Sequence, residues 1–185
     1  MMGDINVFTG PMKSGKSQRM FSELHRQEII GKNISIFKPN IDNRAGEQYV
    51  ATRAGEKVKA INISKIEELE NYDTDVYFID EFQFLQGDVS TIEKLAQKGK
   101  KFFISGLNLT SEKKPFGKMG ELMCLADNVQ LLTSVCEECK CDNAIFSYFK
   151  GKKDCDIQVG DAEYVPVCRN CYNKLSQEEA SLCQK

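Results

Sequence analysis

The sequence lacks the features that would assign it to a membrane-spanning or nucleic-acid-binding class. It contains no apolar stretch of 18 residues, so no transmembrane helix is expected. Its charges nearly balance, with 25 Lys and Arg against 27 Asp and Glu, and such a chain has no strong field to attract phosphate backbones or anionic lipids. We therefore expect neither a nucleic-acid partner nor a membrane partner. A hydrophobic content of 41% over 185 residues is enough for a folded core and excludes overall disorder.

Two further absences concern the compartment and the catalytic chemistry. The N-terminus shows no basic segment, apolar core or small-residue cleavage site of an export signal, and four of the eight cysteines form Cys-x-x-Cys pairs. We therefore expect a cytoplasmic protein with a metal site rather than a secreted disulfide protein. The sole histidine, His25, lies within a predicted helix and is interpreted as a surface or packing residue, not as a catalyst.

Strand-like and helical segments alternate along most of the chain. Strands are predicted at 4–9, 33–38, 58–63, 76–79, 101–105 and 129–135. Helices are predicted at 17–31, 64–72, 89–98 and 122–126. This alternation predicts a three-layer, mostly parallel α/β core. Because the composition changes at Cys136, we place an α/β nucleotide-binding domain at 1–135, a zinc-binding lobe at 136–175 and a polar tail at 176–185.

The first predicted strand runs directly into a phosphate-binding pattern. Gly10-x-x-x-x-Gly15-Lys16-Ser17 stands between a strand and a helix, which is the setting that a P-loop requires. Lys16 would reach the terminal phosphates of ATP and the Ser17 hydroxyl would ligate Mg²⁺. Backbone amides at the start of the helix would bind further phosphate oxygens. The residues assigned to this loop are Gly10, Pro11, Met12, Lys13, Ser14, Gly15, Lys16 and Ser17.

Two acids follow the apolar run at 76–79. Asp80 has the position of the acid that holds Mg²⁺ beside a P-loop. Glu81 should point elsewhere, because successive side chains at a strand end take opposite directions. A carboxylate placed beside a hydroxyl can accept its proton during phosphoryl transfer, so Glu81 is our candidate base. The alternative is that both acids only end the strand and cap the following helical region.

Two Cys-x-x-Cys pairs predict a structural zinc site. Cys136, Cys139, Cys168 and Cys171 supply four thiolates, with 28 residues between the pairs in which a β-ribbon could form. A site closed by four thiolates has no open position for water and would stabilise a lobe too small for a core of its own. Redox chemistry is the competing interpretation. Cys141 remains an alternative ligand to Cys139.

Together these motifs resemble the type-II thymidine kinases from Val7 to about Tyr172. The matching segments are Gly10 to Ser17, Asp42-x-Arg44, Ile79-Asp80-Glu81-Phe82-Gln83-Phe84, Lys114-Pro115-Phe116-Gly117 and Tyr164-x-x-Val167-Cys168-Arg169-x-Cys171-Tyr172. The resemblance implies a RecA-like core with a zinc-ribbon lobe. It also implies transfer of the ATP γ-phosphate to the 5′-hydroxyl of thymidine, and of deoxyuridine as a second acceptor, with Mg²⁺ bound. The family is typically homotetrameric and is inhibited by thymidine triphosphate.

The resemblance further assigns individual roles within the site. Glu81 would be the catalytic base, Arg44 would stabilise the transferred phosphoryl group, and Gln83 would belong to the cofactor-binding residues. A lasso loop of the zinc lobe, at 157–160, would bind the thymine base through its backbone. The residues implied for the nucleoside side are Asp42, Phe84, Leu107, Phe116, Ile157, Gly160 and Tyr164.

Several positions depart from the family pattern, and all of them lie on the acceptor side. Ser111 replaces a common aromatic residue, Val159-Gly160 replaces a common Gly-Gly pair, and the segment 52–55 lacks a common His-Asp pair. A kinase of a different nucleoside is therefore an alternative. A RecA-like ATPase with a zinc ribbon is another, although the sequence has no basic stripe. A zinc-ribbon binding module without catalysis would leave the P-loop and the acid pair unexplained.

Overall fold

A parallel sheet of six strands forms the centre of the protein in the computed structural model, which describes residues 3–42, 46, 48–51, 55–151 and 163–182. Its strands are β1 (Ile5–Thr9), β2 (Ile34–Pro39), β5 (Ile61–Ile63), β6 (Val76–Ile79), β7 (Lys101–Gly106) and β8 (Asn128–Leu131). They lie in the order β5-β2-β6-β7-β1-β8, and every neighbouring pair is parallel. The predicted α/β class with a mostly parallel sheet is confirmed.

Four α-helices and two short antiparallel ribbons surround this sheet. The helices are α1 (Lys16–Ile30), α2 (Ser90–Gln97), α3 (Met119–Leu125) and α4 (Arg169–Leu182), with 3₁₀ turns at Ile66–Asn71 and Phe82–Phe84. The ribbons are β3 (Tyr49–Ala51) with β4 (Lys57–Lys59), and β9 (Phe146–Phe149) with β10 (Tyr164–Val167). Among the described residues, no helix is both long enough and apolar enough to cross a membrane.

The sheet buries both of its faces, and strand β6 shows why the apolar run is continuous. Val76 and Phe78 pack on the α1 side of the sheet. Tyr77 and Ile79 alternate with them and pack on the opposite side, together with residues of α2 and α3. Successive side chains of a strand point to opposite faces, so a strand covered on both sides must be apolar throughout. The resulting layers are helix, sheet and helix.

Helix α1 begins and ends at glycines that adopt the left-handed conformation. Gly15 precedes its first residue with a φ of 81°, and Gly31 follows its last residue with a φ of 79°. The Gly31 amide donates to the Glu28 carbonyl oxygen, which caps one of the free carbonyls of the last turn. These ends fix the helix directly behind the glycine-rich loop, with Met20, Phe21 and Leu24 packed on the sheet.

Five segments differ from the sequence-based expectations. The predicted strand 58–63 is divided between β4 and β5, which belong to different sheets, and the predicted helix 64–72 is a 3₁₀ turn at Ile66–Asn71. Strand β8 ends at Leu131 rather than at 135, because the chain leaves the sheet there and Val135 is exposed. Helix α3 begins at Met119, three residues before the predicted start. Helix α4 continues to Leu182, so much of the segment expected to be a polar tail is helical. The three domain boundaries themselves stay predictions.

Candidate active site

The glycine-rich loop follows β1 at the carboxyl edge of the sheet. Gly10 has a φ of 140°, and a Cβ atom there would lie 2.2 Å from the Leu132 carbonyl oxygen. Both the backbone conformation and the close approach of the next strand therefore require glycine at this position. Lys13 adopts a φ of 61°, which is uncommon for a residue with a side chain. Such a turn directs successive backbone amides toward one side of the loop.

Lys16, in the first turn of α1, is buried against the loop that precedes it. Its Nζ atom donates to the Pro11 carbonyl oxygen at 2.6 Å and to the Gly10 carbonyl oxygen at 3.3 Å. Because an ammonium group is strongly favoured beside phosphate oxygens, a cation held inside this loop suits a nucleotide phosphate. The half-buried Ser17 follows it on the same helical turn.

Strands β6 and β7 bring the acid pair to the same edge of the sheet. Asp80 follows the last residue of β6, and its Oδ1 atom accepts hydrogen bonds from the Ser105 hydroxyl and from the Glu81 amide. β7 pairs with β6 on one side and with β1 on the other. Since the carboxyl ends of parallel strands meet at one edge, the loop after β1 and the acid after β6 lie at the same end of the core.

Glu81 is held in an unusual backbone conformation. Its φ of 51° and ψ of 40° are left-handed, a state that costs a non-glycine residue free energy and is concentrated at functional sites. The Gln83 Nε2 atom donates to Glu81 Oε2 at 2.5 Å, and the Leu107 amide donates to Gln83 Oε1 at 3.0 Å. Gln83 thus links Glu81 to the loop after β7. Its predicted place among the cofactor-binding residues stays a prediction.

A buried lysine that sequence reasoning missed anchors the loop after β2. Lys38 is fully buried, and its Nζ atom donates to the carbonyl oxygens of Asp42 and Gly46, each at 2.6 Å, and of Tyr49 at 3.1 Å. A lysine directly after Ile36 and Phe37 in a strand was the available signal, because buried lysines need partners. Asp42 is itself buried beside this anchor.

The structure brings together some of the residues implied for the nucleoside side. The rings of Phe84 and Phe116 meet edge to face, with their centroids 5.4 Å apart. Tyr164, at the start of β10, packs against Phe149 with a centroid distance of 4.9 Å. Leu107 is half-buried at the end of β7, next to the Gln83 hydrogen bond. Arg44, Ile157 and Gly160 lie outside the described residues.

The ribbon of the zinc lobe contacts the glycine-rich loop directly. The Met12 amide donates to the Ser147 hydroxyl at 2.9 Å, and this hydrogen bond is buried. The Ser134 hydroxyl donates to the Lys13 carbonyl oxygen at 3.0 Å, and Lys13 pairs with Glu137 at 2.5 Å. Sequence reasoning missed Ser147 because 135 residues separate it from Met12. The β9–β10 ribbon therefore supports the backbone of the glycine-rich loop.

Replacing Ser147 with alanine is expected to destabilise this junction. The Met12 amide would be left buried without its acceptor, at a cost of about 1–3 kcal/mol. We expect thermal unfolding at a lower temperature and a higher Kd for ATP, measured by scanning calorimetry and titration calorimetry. Ser147→Thr keeps the hydroxyl and is the matched control. Equal behaviour of the alanine variant and the unaltered protein would contradict the importance of this bond.

A solvent-open groove of about 520 Å³ lies beside the glycine-rich loop. Its walls include Lys13 and Ser14 on one side and Thr133, Val135 and Lys140 on the other. It combines Lys13 and Lys140 with the carboxylates of Glu137 and Asp142 and with hydroxyl and backbone groups, and Lys13 is paired with Glu137. Such donors and acceptors can hydrogen-bond the sugar and base of a nucleotide.

Cysteine thiols cluster where the first knuckle of the zinc lobe meets the start of α4. The sulfur atoms of Cys136, Cys139, Cys141 and Cys168 all lie within 4.8 Å of one another. This set contains three of the predicted ligands together with the alternative ligand Cys141. Cys171, the fourth predicted ligand, is outside this set and lies in the first turn of α4, three residues after Cys168. The thiols fit Zn²⁺, which prefers four sulfur ligands in structural sites.

The surroundings of the thiols favour a mixed protonation state. Burial acts to raise the pKa of the Cys136 thiol, but hydrogen bonds from three backbone amides, led by that of Cys139, outweigh it and lower the pKa to about 6. The Cys171 amide likewise lowers the pKa of Cys168. Burial raises the pKa of Cys171 to about 12. Metal binding would therefore displace protons from some of the thiols.

Comparison with known proteins agrees with the geometry of this site. A family model described as thymidine kinase matches residues 3–172. A thymidine kinase of Pseudothermotoga lettingae is 34% identical over 183 residues, which cover 96% of this chain and 99% of the relative. A thymidine kinase of Mycoplasma mobile is 37% identical over 186 residues, covering 97% of this chain and 91% of the relative.

Proposed function

This chain belongs to the thymidine kinase family, and from that premise we propose that it transfers the γ-phosphoryl group of ATP to the 5′-hydroxyl of thymidine. A small nucleoside is the substrate of such a kinase. The observation that carries the proposal is the arrangement at one edge of the sheet, where the loop holding Lys16 follows β1 and Asp80-Glu81 follows β6. Phosphoryl transfer needs a phosphate-binding cation, a metal-binding acid and a group beside the acceptor hydroxyl.

The phosphate donor is assigned to the glycine-rich loop and the groove beside it. Lys16 and the backbone amides of the loop would bind the β- and γ-phosphates, and Ser17 and Asp80 would hold Mg²⁺. The bound Mg²⁺ would supply neutralisation of the charge on the phosphate oxygens. The groove lined by Thr133 and Lys140 would take the sugar and base of ATP.

Glu81 is assigned as the base that accepts the proton of the acceptor hydroxyl. Its carboxylate is buried, and its hydrogen bond from Gln83 fixes the direction in which it points. General-base assistance of this kind contributes about 10²- to 10⁴-fold to a rate. Arg44, two residues after Asp42 in the sequence, is assigned to stabilise the phosphoryl group during transfer. Asp42 itself would orient the nucleoside.

The acceptor pocket is assigned to residues of the core and of the zinc lobe. Phe84, Leu107 and Phe116 would form its apolar wall on the core, and Tyr164 would close it from the zinc lobe. The lasso containing Ile157 and Gly160 would hydrogen-bond the thymine base through its backbone. Recognition by backbone groups discriminates well, because a wrong base leaves buried donors and acceptors unpaired.

We also propose a homotetramer in the cytoplasm. The edge strand β8 exposes Val129 and Leu131, and the last turn of α1 exposes Ile29 and Ile30. An edge strand with exposed apolar side chains is a site for association. The clustered thiols fit a reducing compartment. Light scattering that gives the mass of four chains would support the assembly, whereas the mass of one chain would refute it.

A nucleoside panel tests the proposed reaction. The purified protein is incubated with ATP, Mg²⁺ and one nucleoside at a time, and the products are separated by chromatography. We expect thymidine monophosphate, formed faster than any product from deoxycytidine or a purine nucleoside, with deoxyuridine as a second acceptor. Preference for another nucleoside would assign a different kinase specificity. ATP hydrolysis without any nucleotide product would favour the ATPase alternative.

A further inference from the structure

Five cysteine thiols of the described residues, one more than a structural zinc ion binds, lie near one another in the zinc lobe. Four sulfur atoms lie within 4.8 Å of one another, and the fifth thiol, on Cys171, lies three residues after Cys168 in the first turn of α4. Zinc in structural sites is almost always four-coordinate, so a single ion leaves one of the five thiols outside its shell. The arrangement therefore raises the question of which thiol is the spare one.

We propose that Cys136, Cys139 and Cys168 are constant ligands of the metal and that Cys141 and Cys171 are alternative fourth ligands. Each of the two would complete a four-thiolate shell when the other is absent. This assignment concerns the metal shell alone and does not depend on the reaction that the protein catalyses.

The spacing of the sulfur atoms supports the three constant ligands. With zinc–sulfur bonds of about 2.3 Å, the corners of a tetrahedral shell lie roughly 3.8 Å apart. The Cys139 and Cys168 sulfur atoms are separated by 3.8 Å. Cys136 is fully buried beneath them, and its sulfur atom accepts the Cys168 amide at 3.4 Å. These three thiols come from both knuckles and already surround one point.

The backbone of the first knuckle explains how Cys141 reaches the same point. The Lys140 amide donates to the Cys136 carbonyl oxygen at 3.0 Å, and Lys140 adopts a φ of 61°, which reverses the chain. The Cys136 amide then donates to the Cys141 carbonyl oxygen at 2.7 Å, closing the turn. The Cys141 sulfur atom consequently lies 3.3 Å from that of Cys139. Two backbone hydrogen bonds thus close this turn.

The second knuckle presents Cys171 by a different device. Cys168 immediately precedes α4, and Cys171 lies in the first turn of that helix, three residues later. Residues three apart on a helical turn lie on one side, so both thiols face the cluster. The Tyr172 amide donates to the Cys168 carbonyl oxygen at 2.9 Å, which fixes this turn. Cys171 therefore approaches the metal position from the helix while Cys141 approaches it from the first knuckle.

Charge limits the shell to one of the two at a time. Four thiolates around Zn²⁺ already carry a net charge of about −2, and a fifth would add repulsion without a vacant ligand position. Cys141 has a hydrogen-bond acceptor available when it is not a ligand, because its sulfur atom donates to the Asn143 side-chain oxygen at 2.8 Å. Zn²⁺ itself imposes no preference between two thiolates that reach the same corner.

Metal content of single and double variants of the full chain tests the proposal. Cys171→Ser and Cys141→Ser should each retain about one zinc ion per chain by mass spectrometry, because three constant ligands and one alternative remain. The double variant Cys141→Ser/Cys171→Ser and the single variant Cys136→Ser should lose most of it. The exposed Cys124, which lies outside the cluster, gives the matched control Cys124→Ser.

Cobalt substitution separates true ligand exchange from a weakened three-thiolate site. The near-ultraviolet sulfur-to-cobalt band should keep its intensity in both single variants, since four thiolates still bind. Loss of metal from Cys171→Ser, or a band reduced by about a quarter, would overturn the proposal by showing that Cys141 does not replace Cys171. Loss of metal from Cys141→Ser would also overturn it, by showing that Cys171 does not replace Cys141. Both measurements are made on single variants that are expected to stay folded, because each keeps four thiolates for the metal.

Discussion

Replacing Lys16 with alanine is expected to lower kcat/KM for thymidine phosphorylation by at least about 10²- to 10³-fold. That is the effect of removing one preorganised group that stabilises charge in a transition state. Lys16 is the buried cation of the glycine-rich loop, and it is held against the carbonyl oxygens of Gly10 and Pro11. The alanine variant keeps the glycines and the helix start that form the loop. Steady-state kinetics with ATP and thymidine measure the loss.

The loss must be separated from unfolding. The circular dichroism spectrum and the midpoint of thermal unfolding should stay close to those of the unaltered protein. Lys16 is not a member of either apolar cluster that packs on the sheet. Lys32→Ala removes an exposed lysine just beyond α1 and is the matched control, with no expected change in rate. Turnover by Lys16→Ala within a few-fold of the control would show that the loop does not bind the donor phosphates as proposed.

The core of the fold and the chemical motifs were predictable because each depends on a short stretch of chain. The run Val76–Ile79 is apolar at every position, and that alone indicates a strand covered on both faces. Strand β1, the glycine-rich loop and the start of α1 follow one another directly in the sequence, so the motif is recognisable from one short segment. The end of β8 was not predictable in this way, because an apolar segment reads the same whether it continues in a sheet or leaves it.

The supports of the site could not be predicted because they join segments that are distant in sequence. Ser147 meets Met12 only after the zinc lobe has folded against the core. Gln83 connects Glu81 with the Leu107 amide across the ends of two strands. Only Lys38 carried a local signal, as a charged residue directly after the apolar Ile36 and Phe37 of a strand. The nature of the chemistry is thus local in sequence, whereas the placement of the reacting groups is a tertiary property.

In the cysteine cluster, too, the kind of site is predictable from local sequence, whereas the position of one thiol depends on the folded backbone. Two Cys-x-x-Cys pairs predict a metal site by their spacing alone. The proximity of Cys141 depends on the left-handed Lys140 and on the turn that closes between Cys136 and Cys141. A lysine gives no sequence signal for that conformation, which glycine would normally adopt. The sequence therefore left Cys141 as an open alternative, and the backbone turn is what places it among the thiols.

Replacing Glu81 with glutamine tests whether the strained acid performs chemistry. The side chains have nearly the same shape, and the new carbonyl oxygen can still accept the hydrogen bond from Gln83, so the local structure should persist. An amide cannot accept the proton of the 5′-hydroxyl, and kcat should fall by about 10²- to 10⁴-fold. ATP affinity, measured by titration calorimetry, should be almost unchanged because the donor binds at Lys16 and the loop.

The pattern of the two effects distinguishes a base from a structural residue. A residue that only ends a strand would change stability while leaving kcat intact, whereas a base changes kcat at constant stability. Glu70→Gln, at an exposed position of the 3₁₀ turn Ile66–Asn71, is the control for loss of one carboxylate charge. If kcat of Glu81→Gln equals that of this control, Glu81 is not the base. The left-handed backbone at Glu81 would then have no catalytic explanation, and another side chain would have to accept the proton.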